Sequence, residues 1–597
     1  MRFLFVIAFL VLASWSVYGQ KEIEINLNWG SEPASITMNE RTFFHPNLQN
    51  AVLSGNEFVY LKEFDRGHIS IKWKFDIISY QTAPTDQQTK DFIQMHQIDV
   101  FDSPTFKLNN NTMAGAPKAV LSLVPFVKIN GDILKITSIK FNQTTEAVIH
   151  QKSNSFATQS VLREGSGDWY KISVKSDGVH VIDYDFLKSI GVNVNNLNPD
   201  HIHIYGNAFG RLPESNAEYR PDDLLKNDIM IVGDQDGSFD PSDYILFYGK
   251  GPHRWDQNGD GFSRVLNIYD DYTAYFININ SAEPPARITQ ADLTNSPPSH
   301  QVTDYNSYTI HEQELVNLMR SGQRWYGELF DANLTQNFSM NIPDINPNVP
   351  ATLRFAGASR MGNSSTNFTV RYGNTVLGTA DLNDAGEDNF TRGTFTTNPG
   401  VFNPTSNTFS IQVTFNRTSP SNPGYLDFIE VNARSYLRYR NNLHFRDLNS
   451  VGVGNVAEFS IDNFPSNGIV WEITNPRQPK NVNGVAQAGQ FRFSVESDSL
   501  REFTAFQLGN EKKPTFLHKV QHQNLHGLPQ ADYLIITHPK FLGQANRLAN
   551  LHRNNGLTVH VVTTVQVYNE FSGGTVDPTG MKFFVKMFYD RAGGDPD

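Results

Sequence analysis

Cysteine is absent from all 597 positions. That excludes a disulfide framework and a cysteine-bound zinc site. It also excludes any reaction that needs a thiolate formed within these residues. Charge is thin as well: Asp, Glu, Lys and Arg make up 18% of the chain, and the net charge is −12. The basic residues form no stripe, so nucleic acid is not an expected partner. Beyond the first residues no apolar run is long enough to span a membrane as a helix. No internal repeat of fixed period is present.

What the chain does contain is aromatic and β-forming. Aromatics reach 12%, and Asn, Ser and Thr are plentiful, which suits an extracellular β-rich protein. The length calls for several domains. Met1-Arg2, the apolar run Phe3 to Ala13 and the small-residue site at Val17-Tyr18-Gly19 read as a signal peptide over 1–19, cleaved before Gln20. The mature protein is then expected to be exported. No Cys follows the site, so it is not a lipoprotein signal.

The remainder divides by composition and turn signals. A β domain is expected over 20–160, with Ile69 to Phe75 alternating apolar and polar. A β-rich α+β domain follows over 161–290. There Tyr170, Ile172 and Val174 alternate with Trp169, Lys171 and Ser173. Residues 291–334 read as a linker, with a short helix from Glu312 to Met319. Residues 335–435 have the strand spacing of a β-sandwich or jelly roll, and 436–525 hold further strands.

Two acidic loops are the best local candidates for a ligand. Asp234, Asp236, Asp240 and Asp243 surround Gly237, and alternating carboxylates suit a hard cation such as calcium. Asp256, Asn258 and Asp260 match the first half of a calcium loop, but Asn267 stands where the bidentate Glu is due. The favoured reading of both is a solvated hairpin loop, in which Asp, Gly and Pro supply turn geometry. His201 and His203 share a strand face without a third ligand and read as surface imidazoles.

The last stretch, 526–597, is different in kind. Asp532 to Thr537 is a short apolar run of β-formers, as in a buried parallel strand. Phe541, Ala545, Leu548 and Leu551 then recur at helical spacing, and Gly556 suits the left-handed position after a helix. Leu557 to Thr563 is a second strand. Asp577-Pro578 opens a further helix with Met581, Phe584, Val585 and Phe588 as its stripe. This is one βαβ unit plus a helix, the opening of a doubly wound α/β domain. Two strands alone leave unpaired edges, so the expected whole is a long, mostly β amino-terminal assembly followed by the start of an α/β domain. His538 ends the first strand, where α/β sites cluster, and is expected to shape the turn into the helix. Glu570 follows the second strand and is expected to line a cleft without catalysing.

Ala531 to Phe541, Ala545 to Ala549, Gly556 to Val562 and Val567 to Pro578 together resemble the start of the gingipain-type cysteine peptidase domain, in its type IX secretion sortase branch. The resemblance implies an exported cysteine endopeptidase at the outer membrane or cell surface. It would remove the C-terminal sorting domain of secreted cargo and pass the acyl group to water or to an amine on surface lipopolysaccharide. Cargo and other type IX secretion components are its implied partners. The family's His and Cys are expected beyond Asp597, so no catalytic residue and no cofactor is assigned here. Two alternatives stay open. One is a secreted gingipain-like protease that is itself cargo, and the other is a non-catalytic adhesin or carbohydrate-binding β protein.

Overall fold

A computed structural model of the chain describes residues 21–592 except 31–33, 39–40, 55–56, 66–70, 97, 114–115, 148–156, 208–209, 217, 319–323, 360–365, 383–390, 395–399 and 418. The expected signal peptide, 1–19, lies outside the described residues. The chain forms two compact units, Met1–Ser155 and Phe156–Asp597. It is multidomain and mostly β. No helix among the described residues is long and apolar enough to cross a membrane.

The first unit has two four-stranded antiparallel sheets. One contains the long strands Ile71–Pro84 and Asp132–Ala147, and the other pairs Glu57–Asp65 with Ala116–Leu123. Both contribute to one core around Phe58, Phe75, Leu121, Phe126 and Phe141. Its helix, Gln87–Met95, starts where Asp86 accepts a hydrogen bond from the Thr89 N–H at 2.8 Å.

The second unit opens on a five-stranded sheet in which Asp168–Val174 lies between Thr273–Ile279 and Thr515–Val520. Trp169 pairs with Val520, so a strand more than three hundred residues later completes this sheet. A three-stranded sheet holding Gly178–Asp183 and Tyr244–Gly249 shares its core. A sandwich follows. In its strand Thr408–Asn416, Phe409, Ile411, Val413 and Phe415 all point inward. The long strand Gly424–Tyr436 runs through its other sheet. A further pair of sheets is built on Val456–Ile461 and Glu502–Gln507 around Phe445, Phe459, Phe493 and Phe503.

The helix expected from Glu312 to Met319 is not formed by the described residues 312–318. Glu312 instead closes the strand Asp304–Glu312, paired with Gly424–Tyr436, and Val316 bridges to Tyr326. Sheet pairing across more than a hundred residues overrides the weak local helical pattern.

Two parallel strands, Tyr533–Thr537 and Val559–Thr563, flank the helix Leu542–Asn554, and Thr564–Phe571 and Thr579–Arg591 follow. Gly556 takes φ +89° just past the first helix, as its position demands. The helical stripes differ from expectation. Ala545 and Ala549 face the sheet, while Phe541, Leu548 and Leu551 are exposed, because two strands offer only a narrow platform. In the last helix Phe583, Phe584, Met587 and Phe588 are buried and Val585 is exposed.

Candidate functional site

The alternation read at Trp169 to Val174 is present, but its polar face is not solvated. Lys171 and Ser173 are buried along with Tyr170, Ile172 and Val174. All seven residues of the neighbouring strand Thr273–Ile279 are buried. One face of this sheet meets the core of its own module. The other is covered in part by Leu162 and Leu224, packed around Trp169, and in part by the turn and helix of the α/β segment at Lys171, Ala274 and Phe276.

That contact is made by residues spaced so that a side chain meets backbone on the facing element. Thr575 Oγ1 accepts from the Ala274 N–H at 3.1 Å. Asp270 Oδ2 accepts from the Val576 N–H at 2.9 Å, and Asp577 Oδ2 accepts from the Leu212 N–H at 2.8 Å. Asp577 Oδ1 also accepts from the Thr579 N–H at 2.8 Å, so the expected cap function is kept while the helix begins one residue later. Gly574 lies over the Phe276 ring with φ +86°, and a Cβ there would stand 2.7 Å from that ring. Lys171 donates from Nζ to Asn569 Oδ1 at 3.2 Å; burial pulls its pKa down to about 8, against the pull of Asp270.

At the centre of the seat is a buried ionic cluster. Glu570 is fully buried and accepts from the Leu525 N–H at 2.8 Å, the His526 N–H at 3.1 Å and Gln523 Nε2 at 2.9 Å. His526 Nδ1 lies 2.6 Å from Glu570 Oε2, with Asp222 and Asp223 at 3.8 and 3.9 Å from its ring nitrogens. Burial alone would lower the His526 pKa, but Asp222, Glu570 and Asp223 outweigh it and raise it to about 9. Burial raises Asp223 to about 6, which His526 opposes. Arg591 donates to the carbonyl of His526 at 2.9 Å, and the guanidinium of Arg220 lies 4.0 Å above the Phe583 ring.

Glu570 therefore does not line a cleft. It ties the α/β segment to the strand that leads into it. His538 is exposed and its Nδ1 accepts from the Lys540 N–H at 3.2 Å, capping the turn Pro539–Phe541 as expected. The carboxyl ends of the two parallel strands thus carry capping groups: His538 after the first, and Thr563 with Gln566 in a capping box after the second. Asp222, Asp223 and His526 carry no local sequence signal, and Lys171 reads only as one residue of an alternating strand. Nothing local in the sequence links Asp222 and Asp223 to His526.

The acidic loops are put to structural use. Asp236 Oδ1 accepts from the Ser238 N–H at 3.0 Å, and Asp243 Oδ2 accepts from the Asp240 N–H at 2.8 Å. Asp243 is buried and fills the space where a Cβ on Gly233 would fall. Asp234 begins a short 3₁₀ turn. Asp256 pairs with Arg254, and Asn258 donates to Ser263 at 3.0 Å. Asp260 sits in the tip of the hairpin Arg254–Asn258 and Gly261–Val265. The described residues contain no group of three or more His, Asp or Glu placed to hold a metal ion.

That hairpin is a clasp onto the sandwich. Asn432 pairs with it twice: Oδ1 accepts from the Phe262 N–H at 2.8 Å, and Nδ2 donates to the Phe262 carbonyl at 2.9 Å. Glu430 accepts from the Arg264 N–H at 2.9 Å, and the Trp255 ring stacks on Tyr308 with centroids 3.8 Å apart. Trp169 is a core residue whose indole N–H donates to Ser166 at 2.8 Å, whereas Trp325 is partly exposed. His203, expected at the surface, is buried, while His201 is exposed; the strand Ile202–Tyr205 is covered on both faces.

Residues 526–597 match peptidase family C25. Among solved structures the chain is similar to the dimeric latent PorU from Porphyromonas gingivalis, at 25% identity and a TM-score of 0.64, covering 74% of this chain and 41% of that one. The chain thus spans less than half the length of that protein. A likeness to the infectious bursal disease virus Gt strain structure, at 10% identity over 88% of this chain and 92% of that one, has a TM-score of 0.12 and carries no argument. No curated protein matches. The chain is PorU-like in fold, and its α/β segment resembles the C25 peptidases.

Proposed function

We propose that this chain is the amino-terminal portion of a type IX secretion sortase. In this reading the complete protein is an exported cysteine endopeptidase at the outer membrane. It removes the C-terminal sorting domain of secreted cargo and transfers the acyl group to water or to an amine on surface lipopolysaccharide. A thiolate attacks the scissile carbonyl, the sorting domain leaves with the new amine terminus, and the resulting thioester is released by the second nucleophile. The thiolate has to come from outside these 597 residues, since they include no Cys.

The observation that carries the proposal is one of order. The likeness to PorU extends over 74% of the chain, and the C25 match falls in its last stretch. The seat described above adds physical support. The start of the α/β segment is fixed to a β module by a buried ionic cluster and several side chain-to-backbone bonds, as befits a scaffold that orients a catalytic domain.

The test is deletion of the encoding gene in its own bacterium, followed by mass determination of secreted proteins. Cargo that retains its C-terminal sorting domain, and loses it again on complementation, supports the proposal. Cargo trimmed normally in the deletion strain rejects it.

A further inference from the structure

We propose that the side chains of Lys171 and Asn569 join in an amide bond, a self-made cross-link that ties the α/β segment covalently to the β module beneath it. Lys171 lies in the strand Asp168–Val174 and Asn569 in the helix Thr564–Phe571. Both reacting groups belong to this chain, so the inference stands apart from the peptidase reading.

The first observation is a nucleophile in contact with an electrophile, away from water. Lys171 is 6% exposed and Asn569 2%. Lys171 Nζ lies 3.2 Å from Asn569 Oδ1. The carbon to be attacked is one carbonyl bond, about 1.2 Å, from that oxygen. A small swing of the amine therefore brings it over the carbon. Groups held this close react as if at very high concentration, up to about 10⁵–10⁸ M when alignment is good.

The second observation is that the amide has a fixed orientation. Asn569 Nδ2 donates to Gln523 Oε1 at 3.1 Å. Gln523 is held in turn by its Nε2, which donates to the Gln566 carbonyl at 2.8 Å and to Glu570 at 2.9 Å. The Asn569 carbonyl is thus presented to the amine, and the nitrogen that must leave is held by another partner.

The third observation is the state of the amine. Lysines this deeply buried are as a rule paired with a carboxylate. Among the described residues Lys171 forms no ion pair. Its neighbours are the Asn569 amide and the Phe276 ring, whose centroid is 5.7 Å from Nζ. Burial pulls its pKa down to about 8, which Asp270 opposes. Part of the population is therefore the free amine near neutral pH, the form that carries a lone pair.

The reaction balances without a co-reactant. The Nζ lone pair forms a bond to Asn569 Cγ, and the carbonyl π pair moves onto Oδ1. A proton passes from Nζ to Nδ2, both now on the same tetrahedral carbon. The carbonyl re-forms, the Cγ–Nδ2 bond breaks with its electron pair on nitrogen, and ammonia leaves. Nothing is oxidised or reduced. The bond closes a loop between residues 398 apart, in a chain with no Cys to close it by a disulfide.

The experiment is peptide mapping of the purified full chain, denatured, cut with trypsin and sequenced by tandem mass spectrometry. The expected product is a branched peptide that joins the segments around Lys171 and Asn569. It should be lighter than their sum by one ammonia, and trypsin should not cut after Lys171. Lys171→Met and Asn569→Leu should each give linear peptides only. The wild-type map decides the question whether or not these variants fold. The proposal is overturned if the wild type gives linear peptides with cleavage after Lys171 and an intact Asn569, or if a branch maps to other residues. Ammonia lost elsewhere leaves the peptides linear and counts as the first of these results.

Discussion

His526 and Glu570 form an ion pair of 2.6 Å in which both side chains are fully buried. Burial of two charges is stabilising only if the geometry is good and the remaining lone pairs are satisfied. Here Glu570 also receives two backbone N–H groups and one amide N–H. Removing the carboxylate leaves a buried cation and orphans these donors. Glu570→Ala should therefore destabilise the α/β segment by about 3–5 kcal/mol. Hydrogen exchange of the helix Thr564–Phe571 reads this directly, and protection equal to wild type would contradict it.

The same pair predicts a pH dependence. His526 is raised from its ordinary value to about 9. Its contribution is fully present below about 6.5 and is lost as pH rises through 9, a change of roughly 3 kcal/mol. Asp223, raised to about 6, has the same sign one step lower: its contribution fades as pH rises through 6. Lys171, lowered to about 8, has the opposite sign, since its burial is better tolerated once it is neutral. The difference between wild type and His526→Gln isolates the histidine. Protection of the Thr564–Phe571 amides should fall between pH 6.5 and 9 in the wild type and follow a flatter course in the variant. Parallel courses would count against the cluster.

Two glycines separate backbone strain from steric contact. Gly556 and Gly574 have similar φ values, +89° and +86°, but a Cβ on Gly556 meets nothing within 4 Å, whereas on Gly574 it meets the Phe276 ring at 2.7 Å. Gly556→Ala should cost about 1 kcal/mol from φ alone. Gly574→Ala should cost at least 1–3 kcal/mol more, because the segment must lift off the sheet. Thermal unfolding of the two variants compares them, and equal losses would mean that the contact at Phe276 is not tight.

Much of this architecture is legible in the sequence where signals are local. Strand spacing points to a sandwich over 335–435, and Gly556 and the Asp577-Pro578 pair mark helix ends. His538 at a strand-to-helix junction was identified as a turn former. What was not legible is which polar faces are interfaces. Lys171 and Ser173 look like the solvent side of a strand, and only Asn569, 398 residues later, shows otherwise. Glu570 looked like a cleft residue because its partners at 222–223 and 523–526 are distant or lie outside any regular element. The two acidic loops carry real turn chemistry, but a turn signal does not reveal what the hairpin beyond it will touch.

That last point sets the remaining prediction. The hairpin holding Asp256, Asn258 and Asp260 is bonded to the sandwich through Glu430, Glu312, Arg354, the Trp255–Tyr308 stack and one amide side chain that supplies two bonds. Asn432 imitates a strand neighbour by accepting from the N–H and donating to the carbonyl of Phe262. A carboxamide supplies the two functions from two adjacent atoms, matching the N–H and carbonyl of one residue. Asn432→Asp keeps the acceptor but sets a second oxygen against the Phe262 carbonyl, and Asn432→Leu loses both bonds. Each should weaken the clasp by about 1–3 kcal/mol, with Glu430 and the Trp255–Tyr308 stack retaining part of the contact. Limited proteolysis should then cut within 254–265 sooner than in the wild type, while the sandwich core around Phe355 and Phe368 stays protected. If cleavage in the hairpin is unchanged in both variants, Asn432 does not hold the clasp, and the contacts of Arg264 with Glu430 and Glu312, of Arg354 with Ser263 and of Trp255 with Tyr308 suffice.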